Sequence, residues 1–251
     1  MIPKSKAEKP LGKPLDSFTE GEIIVDTASE FQRIQINQHP VYGNQLIIDG
    51  DLQISTSDNA YNTAMVAPLL SAERLENIAI LGGGDGGVLQ EALSQLKPRD
   101  EFNSATLVEI DCEVIRLCKE HMSGFNQDAF DDPQSEVIVG DALNYIENTR
   151  GLDAVIYDLT MDPIRDDMTH EAYITHIMHI IRKSLRPGGI FSMQCCGQVA
   201  LNEEDERQRQ WLLDQIHRNA EHHFIGVIEQ QVYVPSFHEQ WTFLAAVKPE
   251  A

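Results

Sequence analysis

The chain predicts an α/β fold: a parallel sheet wound with helices and closed by a C-terminal antiparallel hairpin, preceded by a small antiparallel β domain. Three observations carry this. From residue 77 onward, short apolar runs alternate with helical stretches, the pattern of successive β–α units. The first run, Ile78-Ala79-Ile80-Leu81, ends in Gly82-Gly83-Gly84-Asp85-Gly86-Gly87, a glycine turn that opens a helix. Ahead of it, residues 20–57 hold four strand-like runs separated by turn formers.

Those four runs are 22–25, 31–36, 45–48 and 52–54, with Tyr42-Gly43-Asn44 and Asp49-Gly50-Asp51 as turns. Ser57-Asp58-Asn59-Ala60-Tyr61 opens a helix through Leu70. The strand at 78–81 is followed by a second at 105–109 and a helix from Asp111 to about His121. A third strand, 136–139, leads through Gly140-Asp141 into a short helix, and a fourth, 154–157, leads to Asp158. A helix over 170–185 stops at Arg186-Pro187-Gly188-Gly189, before a fifth strand at 190–194. A helix over 203–222 and a hairpin of strands near 226–234 and 241–247 complete the chain.

Composition sets the bounds. The 251 residues suffice for one sizeable α/β domain with a small N-terminal unit. No apolar stretch approaches the ~18 residues of a membrane span. The first thirteen residues are rich in Lys and Pro and lack a secretory signal's apolar core, so residues 1–18 read as a flexible tail. Four cysteines, with neither the density of a disulfide framework nor zinc-site spacing, point to a reduced, cytoplasmic setting. Forty acids against nineteen bases give a formal charge of −21. That balance argues against nucleic acid and favours cationic ligands, although solubility alone would also account for it.

The acids fall where such sheets bind ligands. Asp85, Glu109, Asp141 and Asp158 each follow a strand, at the mouth of the sheet. A loop built for phosphate offers bare N–H groups, and Asp85 would repel that anion. The turn therefore suits a ligand with a positive end, and Gly82 and Gly83 let the backbone come close to it. A carboxylate after the second strand suits a ribose diol, and Asp141 can accept from an adenine amino group. Taken singly, each acid is more often a helix N-cap, a role that Asp111 and Asp141 fit well. Four at one mouth favour the ligand reading.

These residues resemble the polyamine aminopropyltransferases, the spermidine and spermine synthase family. The resemblance rests on the glycine turn, Val108-Glu109-Ile110-Asp111, Gly140-Asp141-Ala142 and Asp158-Leu159-Thr160. Glu30-Phe31-Gln32, Tyr42-Gly43-Asn44, Ile48-Asp49-Gly50, Asp58-Asn59-Ala60-Tyr61 and Val234-Pro235-Ser236-Phe237-His238-Glu239 extend it along the chain. It implies a small N-terminal β domain at 19–57 and a Rossmann-like methyltransferase-fold domain at 58–251, in a homodimer. It also implies transfer of an aminopropyl group from decarboxylated S-adenosylmethionine to an amine, with methylthioadenosine released. The donor is a co-substrate; no metal and no resident cofactor are expected.

By that resemblance Gln32, Gly82, Gly83, Asp85, Glu109, Asp141 and Ala142 hold the donor, Ala142 through its backbone. Tyr61, Asp158 and Glu239 hold the acceptor, with Asp162, Phe237 and, more weakly, Gln53 as further candidates. The chemistry fits these residue types. Asp85 would pair the donor's ammonium and repel the carboxylate that intact S-adenosylmethionine carries beside it. Attack requires a neutral amine, so a carboxylate beside the attacking nitrogen must orient it and take its proton, which makes Asp158 the expected base. A carboxylate with an ordinary pKa near 4 is a poor base for an amine, so positioning and charge stabilisation should supply much of the rate.

The motifs lean towards spermine synthase. Spermidine synthases read Asp-Ser-Ser/Thr-Asp-Pro where this chain has Asp158-Leu159-Thr160-Met161-Asp162-Pro163, which places Asp162 one residue further on. Phe237 stands where the spermine synthase pattern has a tyrosine. The expected reaction is spermidine to spermine, with putrescine as the alternative acceptor. A methyltransferase using intact S-adenosylmethionine and a polyamine-binding protein without turnover are the rival classes; Asp85 opposes the first. His176 and His179, one helical turn apart, and His217, His222 and His223 lack matching acidic or cysteine ligands for a metal. Cys195-Cys196 read as packing thiols, and Trp211-Leu212-Leu213 as a helix face on the core.

Overall fold

The computed structural model describes residues 20–160 and 168–250. β1 (Glu22–Ala28), β2 (Arg33–His39), β3 (Gly43–Ile48) and β4 (Asp51–Ser55) form an antiparallel sheet in that order. The turns at Gly43 and at Asp49-Gly50 have positive φ, which explains their turn-forming residues. α1 (Asn59–Val66) leads into a 3₁₀ turn, Ala67–Ser71, so the helix predicted through Leu70 ends as an α-helix four residues early. Pro68 lies in that turn and cannot donate the backbone hydrogen bond that would continue the helix.

β5 (Asn77–Gly82), α2 (Gly87–Leu96), β6 (Ser104–Glu109), α3 (Cys112–His121), α4 (Ser123–Asn126), β7 (Ser135–Val139) and α5 (Ala142–Asn148) build one side of the main sheet. β8 (Leu152–Asp158), α6 (His170–Ser184), β9 (Leu185–Gly197), α7 (Glu203–His223), β10 (Ile225–Val234) and β11 (Glu239–Val247) build the other. The strand order is β10-β11-β9-β8-β5-β6-β7, parallel from β9 to β7, with β10 and β11 antiparallel. β9 begins at Leu185, five residues before its predicted start. Leu185 pairs with Leu152, and Arg186-Pro187-Gly188-Gly189 bulges out before Ile190 pairs with Ala154. The bulge is tied to the end of β11 by Gly188 N–H to Lys248 O and Lys248 N–H to Gly189 O.

The central strands β5 and β8 are largely apolar because both faces are covered. Ile78 and Ile80 of β5 face the layer holding α1, α2 and α3, while Ala79 and Leu81 face α5, α6 and α7. Ile34, Ile36, Leu46 and Ile54 of the small sheet belong to the first layer, so both sheets share one core. The chain leaves β5 for β6 and β7, then crosses back to β8. That reversal puts a crevice between the carboxyl ends of β5 and β8, where Gly82 and Asp158 are parallel register partners.

Candidate active site

The glycine turn is shaped by the group it faces. Gly82 (φ +80°) and Gly83 (φ +73°) take a backbone conformation that side chains disfavour. A Cβ on Gly82 would lie 2.5 Å from the Asp158 carbonyl oxygen, and one on Gly83 would lie 2.8 Å from Asp158 Oδ2. The turn is therefore moulded around Asp158. Asp85 stays in the crevice, where its Oδ1 accepts from the Gly87 N–H at 2.8 Å, and Asn126 donates to its carbonyl oxygen at 3.0 Å.

Tyr61, on α1, donates its hydroxyl to Asp158 Oδ1 at 2.6 Å. Its ring stands edge-on to Phe243 at 5.1 Å and to Phe237 at 6.3 Å. Tyr61 is thus a core aromatic whose hydroxyl reaches the Asp158 carboxylate. Burial and the neighbouring Asp158 charge push its phenol well above the ordinary range.

Asp158, Asp85 and Glu109 form an unneutralised set, since among the described residues no Lys or Arg bonds any of them. Burial and then the Asp85 charge raise the Asp158 carboxyl to about 7, against the opposing pull of the Tyr61 hydroxyl. Burial also raises Asp85, offset by the Gly87 N–H, and raises Glu109, offset by the N–H groups of Asp111 and Gly84. Such a set favours a cation, because an ammonium removes the mutual repulsion.

The remaining donor-side candidates extend along the strand ends. Glu109 Oε1 accepts from Asp111 N–H at 3.0 Å, and buried Asp111 receives Ser29 Oγ at 2.6 Å and Gln32 Nε2 at 3.0 Å. Gln32 thereby latches the small sheet to the end of β6. Asp141 is exposed and caps α5, its Oδ1 accepting from Leu143 and Asn144 N–H groups, and Ala142 is buried beside it. A cavity of about 250 Å³ opens there, lined by Asp141, Leu143, Asn144, Glu147, Met168 and His176. The cap does not engage Asp141 Oδ2.

Among the acceptor-side candidates, Glu239 is buried and lies against Gly197, its Oε2 accepting from Val199 N–H at 2.8 Å. Arg209 holds the Gly197 carbonyl at 2.6 Å and pairs with Asp205 at 3.1 Å. Buried Phe237 meets Trp241 at 5.0 Å and Tyr61 at 6.3 Å, so aromatic contacts link the Tyr61–Asp158 pair to the Glu239 segment. Gln53 is exposed and its amide donates to the Asp51 carbonyl, and Asp162 lies outside the described residues.

Three supporting side chains escaped the sequence reading. Gln194 donates to Leu159 O at 2.6 Å and accepts from Trp241 Nε1 at 3.0 Å, joining the loop after Asp158 to the hairpin. Asp58 and Ser236 bond to each other across the fold. These links join segments 47 and 178 positions apart, so no local spacing announces them.

Trp211 departs from expectation: it is 39% exposed and packs near His170, while Leu212 enters the core. Three successive helical residues span about 200°, more than one core-facing stripe; Leu213 also packs on the core, and Trp211 is left at its outer edge. His176 pairs with Glu147 and His217 with Glu229. Cys195 and Cys196 are free, buried thiols; burial pushes Cys195 well up and Cys196 to about 11.

The family model described as "Spermine/spermidine synthase domain" matches residues 59–251. The polyamine aminopropyltransferase of Sulfolobus acidocaldarius is 32% identical over 89% of this chain and 71% of its own length. Polyamine aminopropyltransferase 2 of Pseudomonas aeruginosa is 30% identical over 89% of this chain and 62% of its own. The crystal structure of spermidine synthase from Thermotoga maritima superposes with a TM-score of 0.73 at 21% identity, covering 91% of this chain and 73% of that one. A spermidine synthase in complex with the transition state analogue AdoDATO gives 0.76 at 22% identity, covering 91% and 74%.

Proposed function

The chain belongs to the spermine/spermidine synthase family, and from that premise we propose that it transfers the aminopropyl group of decarboxylated S-adenosylmethionine to spermidine, forming spermine. The observation that carries the chemistry is the Tyr61–Asp158 hydrogen bond, 2.6 Å long, set against the glycine turn that bears Asp85.

In this reading the acceptor nitrogen uses its lone pair to form a C–N bond to the aminopropyl carbon. The C–S bond breaks, and its electrons leave sulfur neutral in methylthioadenosine. Asp158 takes the proton released from nitrogen. Its pKa of about 7 makes it a better base than an ordinary carboxylate by about three powers of ten. Asp85 holds the donor's ammonium, Glu109 the ribose hydroxyls, and Asp141 with Ala142 the adenine. Gly82, Gly83 and Gln32 shape the donor side.

Spermidine as acceptor is supported by the aromatic run Tyr61–Phe237–Trp241, on which methylenes can pack, and by the buried carboxylate of Glu239 for a distal ammonium. The resemblance of the 234–239 segment to spermine synthase points the same way. A homodimer in the cytoplasm completes the reading; exposed Ile23, Ile24, Phe31 and Val41 offer apolar surface for a second copy. No helix among the described residues is long and apolar enough to cross a membrane.

Incubation with the donor and a panel of putrescine, cadaverine, agmatine, spermidine and norspermidine, with products identified by mass, tests the proposal. Spermine as the main product is expected. Spermidine formed from putrescine would overturn the acceptor assignment, and absence of any aminopropylated product would leave a polyamine-binding protein.

Tyr61→Phe is expected to lower kcat about tenfold and move the acidic limb of the pH–rate profile towards alkaline pH. The lost hydroxyl lowers the Asp158 pKa, so its removal raises it. The ring's contacts with Phe243 and Phe237 remain, so the variant should keep its melting temperature within a few degrees.

A further inference from the structure

Asp58 stands at the N-cap position of α1, yet its side chain makes no capping bond to the helix. The carboxylate is fully buried and turned elsewhere. Oδ2 accepts from Ser55 N–H at 2.8 Å and from Ser236 Oγ at 2.5 Å, and Oδ1 accepts from Ser236 N–H at 3.0 Å and Ser57 Oγ at 3.3 Å. A carboxylate buried without a cation persists only when its oxygens are satisfied in this way. Two of these four bonds, the shortest among them, come from Ser236, 178 residues away.

The two segments so joined carry the two ends of the acceptor site. Tyr61 follows Asp58 by three residues on α1 and bonds Asp158. Phe237 and Glu239 follow Ser236 within and just after the 3₁₀ turn Pro235–Phe237. The link continues into the small sheet: Gln45 donates to Ser55 Oγ at 3.0 Å, and Asn37 donates to Gln45 at 2.8 Å. All are buried, so the small sheet braces the junction.

We propose that Asp58, through Ser236, is the positioning residue that sets the separation between the reacting end of the acceptor site at Tyr61–Asp158 and its distal end at Glu239. The proposal rests on the reading of Glu239 as an acceptor ligand. Asp58 touches no substrate. It acts by fixing the turn that presents Phe237 and Glu239 to the helix that presents Tyr61.

Ser236→Ala deletes one donor and little volume. It is expected to raise the acceptor KM about fivefold, with kcat and donor affinity within twofold, while Ser236→Thr, which keeps the hydroxyl, stays near the parent. Asp58→Asn is expected to raise the acceptor KM at least tenfold, because an amide cannot accept from every donor now served. Adding Ser236→Ala to it should cost nothing further, since the two act as one unit. Unchanged acceptor KM in folded Ser236→Ala and Asp58→Asn proteins, or donor and acceptor KM rising in parallel, would overturn the proposal. Should Asp58→Asn not fold, the contrast between Ser236→Ala and Ser236→Thr decides. Glu239→Gln, measured alongside, separates the two levels: if it leaves the acceptor KM unchanged, the acceptor reading itself fails. If it raises that KM and Ser236→Ala does not, only the clamp is lost.

Discussion

Asp158→Asn is expected to lower kcat by a factor on the order of 10³ while leaving the donor's dissociation constant within about threefold. The middle of the range for a lost general base applies if Asp158, as proposed, both orients the amine and receives its proton. The amide keeps the shape that Gly83 is moulded around and can still accept the Tyr61 hydroxyl, so the loss would reflect chemistry and not collapse of the turn. Single-turnover rates with pre-bound donor, and donor titration by calorimetry, read the two quantities separately. Near-normal turnover would remove Asp158 from its role.

The same residue dictates the pH profile. As the proposed base Asp158 acts only when ionised, and its carboxyl is raised to about 7. In the free enzyme kcat/KM for the donor should therefore rise with pH through about 7 and flatten above it. Part of that elevation comes from the Asp85 charge. In the proposed complex the donor's ammonium lies against Asp85 with its sulfonium nearby, so Asp158 should ionise more readily there. The acidic limb of kcat is expected at lower pH than that of kcat/KM, and Asp158→Asn should lack it. Identical limbs would mean that the donor's charge never reaches Asp158.

How much of this was legible in the sequence depends on the range of each interaction. Strand β5, its glycine turn and the four acids at strand ends are local patterns, and the sheet's topology brings Gly82 and Asp158 into register. Asp158's elevated pKa was not legible, because it arises from burial and from Asp85, seventy-three positions away. An acid with an ordinary pKa looked like a weak base; its surroundings make it a serviceable one. Asp58 was equally hidden. It stands at the N-cap position of α1, but tertiary partners far along the chain claim its side chain. Trp211 misled through periodicity, since three adjacent apolar residues on a helix cannot share one face.

Asp85→Asn is expected to separate recognition from catalysis at the donor's far end. The parent should prefer decarboxylated S-adenosylmethionine over the intact molecule on two counts: the ammonium gains a buried partner, and the extra carboxylate meets a like charge. The asparagine variant loses both. Its kcat/KM for the decarboxylated donor should fall on the order of 10²- to 10³-fold, as for truncation of a buried charge pair. Affinity for intact S-adenosylmethionine should hold or rise, so the ratio between the two ligands would collapse from both sides. Asparagine keeps an oxygen for the Gly87 N–H, so the turn survives and the change can be read as one of charge. Removing the Asp85 charge should also let Asp158 ionise at lower pH, moving the acidic limb of the residual activity towards acid. A variant that kept the parent's preference between the two ligands would show that the crevice recognises its donor by some means other than this carboxylate. Lost preference with an unmoved limb would instead show that Asp85 selects the donor without influencing the base.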